Sequence, residues 1–119
     1  MALNLQIGAL NRNETDPVMI SIDTNDLEVT KLIGCYPNPF NPETTISFQI
    51  SDPAQVKLQV YNVRGQLVNT LINEFQQPGH YDVIWNSEDS DNRPVSSGVY
   101  FYKMQADNIQ QTQKMLLLK

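Results

Sequence analysis

The sequence predicts an all-β protein, an antiparallel β-sandwich of about seven strands. Apolar residues recur with period two along the longer segments, and helical periodicity is hard to find. Clusters of Gly, Pro, Asn and Asp break the chain at intervals of about 8–12 residues, the spacing of short strands in a two-sheet domain. A chain of 119 residues can bury one such core but has little room for a deep enzyme cleft.

The elements follow in order. Thr44 to Ile50 places Ile46, Phe48 and Ile50 on one face and Thr45, Ser47 and Gln49 on the other. Gln55 to Tyr61 turns Val56, Leu58 and Val60 inward. Asn62-Val63-Arg64-Gly65 joins it to a strand over Gln66–Ile72, with Gly65 at the left-handed turn position where a Cβ would clash. Gln77-Pro78-Gly79 turns the chain into His80–Asn86, where Tyr81, Val83 and Trp85 share a face. After a polar loop over 87–96, Ser97–Ala106 buries Tyr100, Tyr102 and Met104. A turn near Asp107-Asn108 leads into a last strand over about Gln110–Leu118. These make six strands plus a proline-rich lead-in.

Residues 34–119 form the domain in this reading. Residues 1–33 are a linker or the end of an upstream unit, with Val18–Ile22 and Leu27–Ile33 able to lend a strand. The N-terminus lacks a basic region followed by a long apolar one, so no signal peptide is visible. The chain is then either intracellular or a fragment of a longer precursor.

The net charge of −5 is spread along the chain and leaves no basic stripe for phosphates, which argues against nucleic acid. No stretch approaches the ~18 apolar residues of a membrane helix. A single cysteine, Cys35, excludes an internal disulfide and a cysteine-based metal cluster.

Each candidate chemical site has a plain structural alternative. His80 is the sole histidine and no nucleophile motif surrounds it, so a surface role at a strand edge is favoured. No catalytic residue, cofactor-binding fingerprint, metal site or small-molecule substrate site is predicted. Glu88-Asp89-Ser90-Asp91-Asn92 offers oxygen ligands for Ca²⁺ but without EF-hand spacing, so a solvated loop is preferred. Trp85, with Tyr100 and Tyr102, would bind sugars if exposed; packing in the core is preferred. Cys35 is read as a buried or incidental thiol ahead of one that pairs with another chain.

Two segments stand apart. In Tyr36-Pro37-Asn38-Pro39-Phe40-Asn41-Pro42, three prolines fix φ and force extended neighbours, so the segment holds its shape almost unaided. It is either a rigid lead-in with Phe40 plugging one end of the sandwich, or a recognition element. Lys114–Lys119 places Met115, Leu116, Leu117 and Leu118 in succession, so a strand there points apolar groups to both faces. A free apolar edge templates pairing with other chains; kept, it serves strand addition or self-association, with Lys114 and Lys119 as gatekeepers.

Tyr-Pro-Asn-Pro-Phe-Asn-Pro, Thr-Thr-Ile-Ser-Phe, Val-Tyr-Asn-Val-Arg-Gly-Gln-Leu-Val, Pro-Gly-His-Tyr-Asp-Val-Ile-Trp, Ser-Gly-Val-Tyr-Phe-Tyr-Lys-Met and the terminal Lys-Met-Leu-Leu-Leu-Lys occur in this order over about residues 35–119. The series resembles the type A C-terminal sorting domain of the type IX secretion system, related to the immunoglobulin-like domain of the flagellar hook-capping protein. The resemblance implies an immunoglobulin-like sandwich that directs an upstream cargo, as a non-catalytic signal, through the outer-membrane translocon to the cell surface. It implies a sortase-like peptidase that cleaves upstream of the domain, before Cys35. It implies translocon recognition at Tyr36, Pro37, Asn38, Pro39 and Phe40, at Gly98, Val99 and Tyr100, and at Lys114–Lys119. Gly65, Pro78 and Gly79 are then turn residues, and Ile46, Phe48, Val56, Leu58, Val60, Trp85 and Tyr102 are core. Asn86-Ser87 departs from the Asp-Gly that relatives often carry, which alters a turn. The alternatives are a structural or adhesive immunoglobulin-like module that binds its partner permanently and, less favoured, a carbohydrate-binding module.

Overall fold

The computed structural model describes residues 29–119. Seven strands form two antiparallel sheets: β1 (Lys31–Tyr36), β2 (Thr44–Ile50), β3 (Ala54–Asn62), β4 (Leu67–Gln76), β5 (Gly79–Trp85), β6 (Gly98–Ala106) and β7 (Ile109–Leu117). One sheet has the order β1-β2-β5 and the other β4-β3-β6-β7. The chain is an immunoglobulin-like sandwich, in which alternate residues of each strand meet across the core.

That core is the period-two pattern made solid. Ile46, Phe48 and Ile50 of β2 face Val56, Leu58 and Val60 of β3 and Tyr102 and Met104 of β6, and all are buried. Each fully buried aliphatic or aromatic side chain contributes about 1.5–3 kcal/mol relative to exposure. The β3–β4 hairpin closes through Asn62, whose Oδ1 accepts from the backbone N–H of Arg64 and of Gln66, while Gly65 takes φ +78°. There the missing Cβ is what the turn requires.

Two strands differ from the sequence expectation. β4 runs to Gln76, four residues beyond Ile72, pairing with β3 as far as Ala54. Its Asn73, Glu74 and Phe75 are exposed, so backbone pairing holds a stretch that no apolar alternation marks. Bulges opposite Leu58/Gln59 and Val60/Tyr61 also shift its register and blur its period. β1 takes in Lys31, Leu32 and Ile33 ahead of the expected proline lead-in and pairs with β2, Leu32 opposite Phe48 and Tyr36 opposite Thr45. Val18–Ile22 lies outside the described residues.

Candidate functional site

The segment after β1 is a strap laid along the end of β7. The Phe40 N–H donates to the Leu116 carbonyl at 3.0 Å, and the Leu118 N–H donates to the Phe40 carbonyl at 3.0 Å, a parallel bridge. Asn38 extends the contact with its side chain: Oδ1 accepts from the Leu116 N–H at 3.0 Å, and Nδ2 reaches the Lys114 carbonyl at 3.5 Å. The Thr44 hydroxyl donates to the Pro37 carbonyl at 2.7 Å, and the buried Ser87 hydroxyl donates to the Pro42 carbonyl. Proline carbonyls accept these bonds although proline has no N–H to offer in return.

Phe40 anchors the strap. Its ring is buried against Trp85, centroids 5.8 Å apart, and Trp85 meets Tyr100 edge-on at 5.3 Å. The polar tips are satisfied: Trp85 Nε1–H donates to the Glu88 carbonyl at 2.9 Å, and the Tyr100 hydroxyl to the Ser96 carbonyl at 2.7 Å. Gly98, Val99 and Tyr100 pair with Leu117, Leu116 and Met115. The three segments singled out in the sequence therefore meet at one pole of the sandwich.

Their side chains divide into two sets. Phe40, Tyr100, Met115 and Leu117 are buried, so no partner touches them while the domain is folded. Tyr36, 83% exposed, projects to solvent with Pro37, Asn38, Pro39, Lys114, Leu118 and Lys119, and Gly98, Val99 and Leu116 are half-buried. The Lys119 N–H donates to Ser97 Oγ at 2.9 Å and its ammonium to the Val95 carbonyl. The free terminal edge expected for Lys114–Lys119 is corrected here: the strap occupies the outward backbone groups of Leu116 and Leu118.

Two residues of consequence were not singled out in the sequence. Gln111 and Gln113 face inward from β7 and hold β1 across the gap between the sheets. The Leu32 N–H donates to Gln111 Oε1 at 2.7 Å, and Gln113 Nε2 donates to the Leu32 carbonyl at 3.2 Å. Their signal was parity, since they share a face with Met115 and Leu117. Ser87 adopts φ +65°, a left-handed conformation that suits glycine, so the departure from Asp-Gly also adds a tie to the strap.

The other candidates are placed as follows. Trp85, Tyr100 and Tyr102 are buried and offer no ring face to a sugar. His80 is exposed, opposite Gln49. Asp89 Oδ1 accepts from the N–H of Asp91 and of Arg93, the latter bond first among the causes holding its carboxyl below the usual range. Arg93 in turn pairs with Asp91 at 2.7 Å, so the acidic loop is tied within itself. Among the described residues no group of three or more His, Cys, Asp or Glu side chains is arranged to hold a metal ion. Cys35 is free, half-buried and packed on the core beside Tyr102. Burial, and secondarily that thiol, push the Tyr102 hydroxyl above its ordinary value, while it donates to Gln113 Oε1 at 2.8 Å.

A family model described as a secretion system C-terminal sorting domain matches residues 34–118. The chain belongs to this family. The sorting domain is a secretion signal rather than a catalyst, joined to an upstream cargo and recognised by the secretion machinery. Its bearer is an exported protein bound for the outer membrane, the cell surface or the medium.

Solved structures agree on the fold. Dimeric latent PorU from Porphyromonas gingivalis is similar with TM-score 0.63 at 19% identity, over 76% of this chain and 9% of that one. PorZ, an essential surface component of the type IX secretion system of the same organism, is similar with TM-score 0.52 at 18% identity, over 83% of this chain and 13% of that one. The sorting domain thus spans a small part of each of these proteins. No curated protein matches the chain.

Proposed function

We propose that this domain is the part of an exported protein that the outer-membrane type IX translocon reads, and that the reading surface is the pole where strap, β6 start and β7 end meet. The carrying observation is the backbone pairing of Phe40 with Leu117 beside the pairing of Gly98 with Leu117. It makes three separated sequence segments one surface that exists only in the folded domain. The exposed Tyr36 to Pro39 and Leu118 and the half-buried Val99 and Leu116 are the contact groups, and the buried members hold them in place. Residues 34–119 act as the tag, a sortase-like peptidase cleaves upstream of it, and the domain itself carries out no reaction.

The test is delivery of a fluorescent reporter carrying a signal peptide and residues 1–119, in a bacterium with a working type IX system. Deleting Met115–Lys119 removes two core side chains and so confounds fold with recognition. Leu118→Asp and Val99→Lys alter the surface alone. We expect both variants to fold with unchanged melting and to lose delivery. Delivery at the parental level by both would remove this pole from the mechanism.

A further inference from the structure

The outer face of the four-stranded sheet carries a charge pattern that the acidic chain as a whole conceals. Residues alternating with the buried ones point outward: Lys57 and Tyr61 on β3, Phe101 and Lys103 on β6, Lys114 and Leu116 on β7. None of the eight acidic side chains among the described residues lies on this face. Glu43, Asp52, Glu88, Asp89, Asp91 and Asp107 sit in loops and turns, and Asp82 is on β5 in the other sheet. Glu74, on the edge strand β4, stands opposite the inward Val56 and so has inner parity. Among the described residues no carboxylate pairs with Lys57, Lys103 or Lys114.

Around Lys57 and Lys103 this face carries Gln59, Gln105, Gln110 and Thr112; toward the strap it becomes apolar and grooved. Tyr61, Phe101 and Lys114 lie in one row across three strands, with Val99 and Leu116 paired in the next. A groove of about 240 Å³ runs between Tyr61, Val63, Phe101 and Lys103. A second, of about 230 Å³, lies between Val99, Leu116, Lys114 and Asn38 and reaches the strap. The Lys103 ammonium stands 5.1 Å from the centre of the Tyr61 ring, so one aromatic face of this surface already holds a cation. The three-stranded sheet shows no such segregation: its outer face mixes Lys31 and His80 with Asp82, which accepts from the Ser47 hydroxyl at 2.6 Å.

An apolar patch flanked by charges of one sign, here Lys103 and Lys114, suits a protein interface, and the charges select its partner. We infer that the strap end of the outer β3-β6-β7 face docks a protein surface that sets an apolar patch beside carboxylates. This deepens the sorting reading on which it rests, because the face borders the terminal pole at Val99 and Leu116. It gives the secretion component that receives the tag an acidic, partly apolar surface.

The first arm is independent of secretion. Folded chain is titrated with 1-anilinonaphthalene-8-sulfonate, an anionic aromatic probe of the same two chemistries. Fluorescence should rise with the parental chain and fall by about an order of magnitude in affinity for Lys103→Glu/Lys114→Glu. It should fall for Phe101→Gln and stay unchanged for Lys31→Glu on the other sheet, with thermal melting confirming the fold. Absence of binding, or equal loss in Lys31→Glu, overturns the inference.

In the second arm, the double variant is fused to the reporter. Delivery should fall at least several-fold while the Lys31→Glu fusion is delivered normally; equal delivery by the double variant overturns the docking role. If the parental fusion also fails to be delivered, the sorting reading is at fault, and the dye titration still decides the surface. The third arm is co-sedimentation with phosphatidylglycerol vesicles. We expect none; binding that the double variant abolishes would assign the face to an anionic lipid and overturn the protein partner.

Discussion

The two halves of β7 are held by different means. Its C-terminal half receives the strap by backbone pairing and an aromatic anchor, with Phe40 bonded to Leu116 and Leu118 and packed on Trp85. Its N-terminal half reaches β1 only through amide side chains, Gln111 and Gln113 to the backbone of Leu32. A ring buried among rings is fixed by volume, and its loss leaves a cavity. An amide at the margin of the core is fixed by two hydrogen bonds, which exchange for water at modest net cost. The terminal pole is thus built as a rigid surface, and the opposite end of the strand as a softer closure.

The sharpest way to break this comparison is Phe40→Ala. It empties the plug, costs about 3–5 kcal/mol, and lowers Tm by more than about 12 °C. Differential scanning calorimetry reads it; a drop smaller than that of Gln113→Ala would invert the comparison. Gln113→Ala leaves the Tyr102 hydroxyl and the Leu32 carbonyl short of a partner and costs about 1–2 kcal/mol. Ser87 gives a finer test in one position. Ser87→Ala loses the bond to Pro42 while keeping the left-handed backbone and costs about 1–2 kcal/mol by urea unfolding. Ser87→Gly loses the same bond but relieves the backbone, leaving stability within about 0.5 kcal/mol of the parent.

Titration sharpens the contrast between core and loop. The Tyr102 hydroxyl is raised in the folded state, so its contribution is intact below the ordinary tyrosine value of about 10. It is lost as pH rises from there through the folded value, because the unfolded chain ionises first. Tyr102→Phe should flatten this alkaline fall in urea midpoints. Asp89 is lowered, so its contribution holds above the ordinary carboxyl range and disappears as pH falls through the folded value. At this exposed loop Asp89→Asn should change the acid limb least of all.

Much of the fold was legible because the buried strands obey period two: β3 and β6 alternate cleanly, β2 does so except for the buried Gln49, and their inward residues were named from sequence. β4 was truncated because its last residues are held by backbone pairing and a surface Gln55–Asn73 bond and carry no inward apolar side chain. β1 was obscured by Gly34 and by the bulge between Leu32 and Gly34, which break its alternation. At the candidate site the segments were visible as motifs, but their convergence was not. A parallel bridge between residues 40 and 117 leaves no trace in either stretch. The strand-addition edge was misread for the same reason, since the group that covers it lies 78 positions away, at Asn38 opposite Leu116. The cation-only face was hidden by the net charge of −5, which averages over surfaces that share no contact.

A domain that serves as the sorting tag should be sufficient on its own to deliver a cargo. The most direct measurement is surface delivery of the reporter fused to residues 1–119, in paired strains with and without the type IX translocon. Reporter should reach the surface of the competent strain and stay trapped in the periplasm of the other. Reporter held in the periplasm of both strains, with the domain folded and intact, would contradict the sorting role.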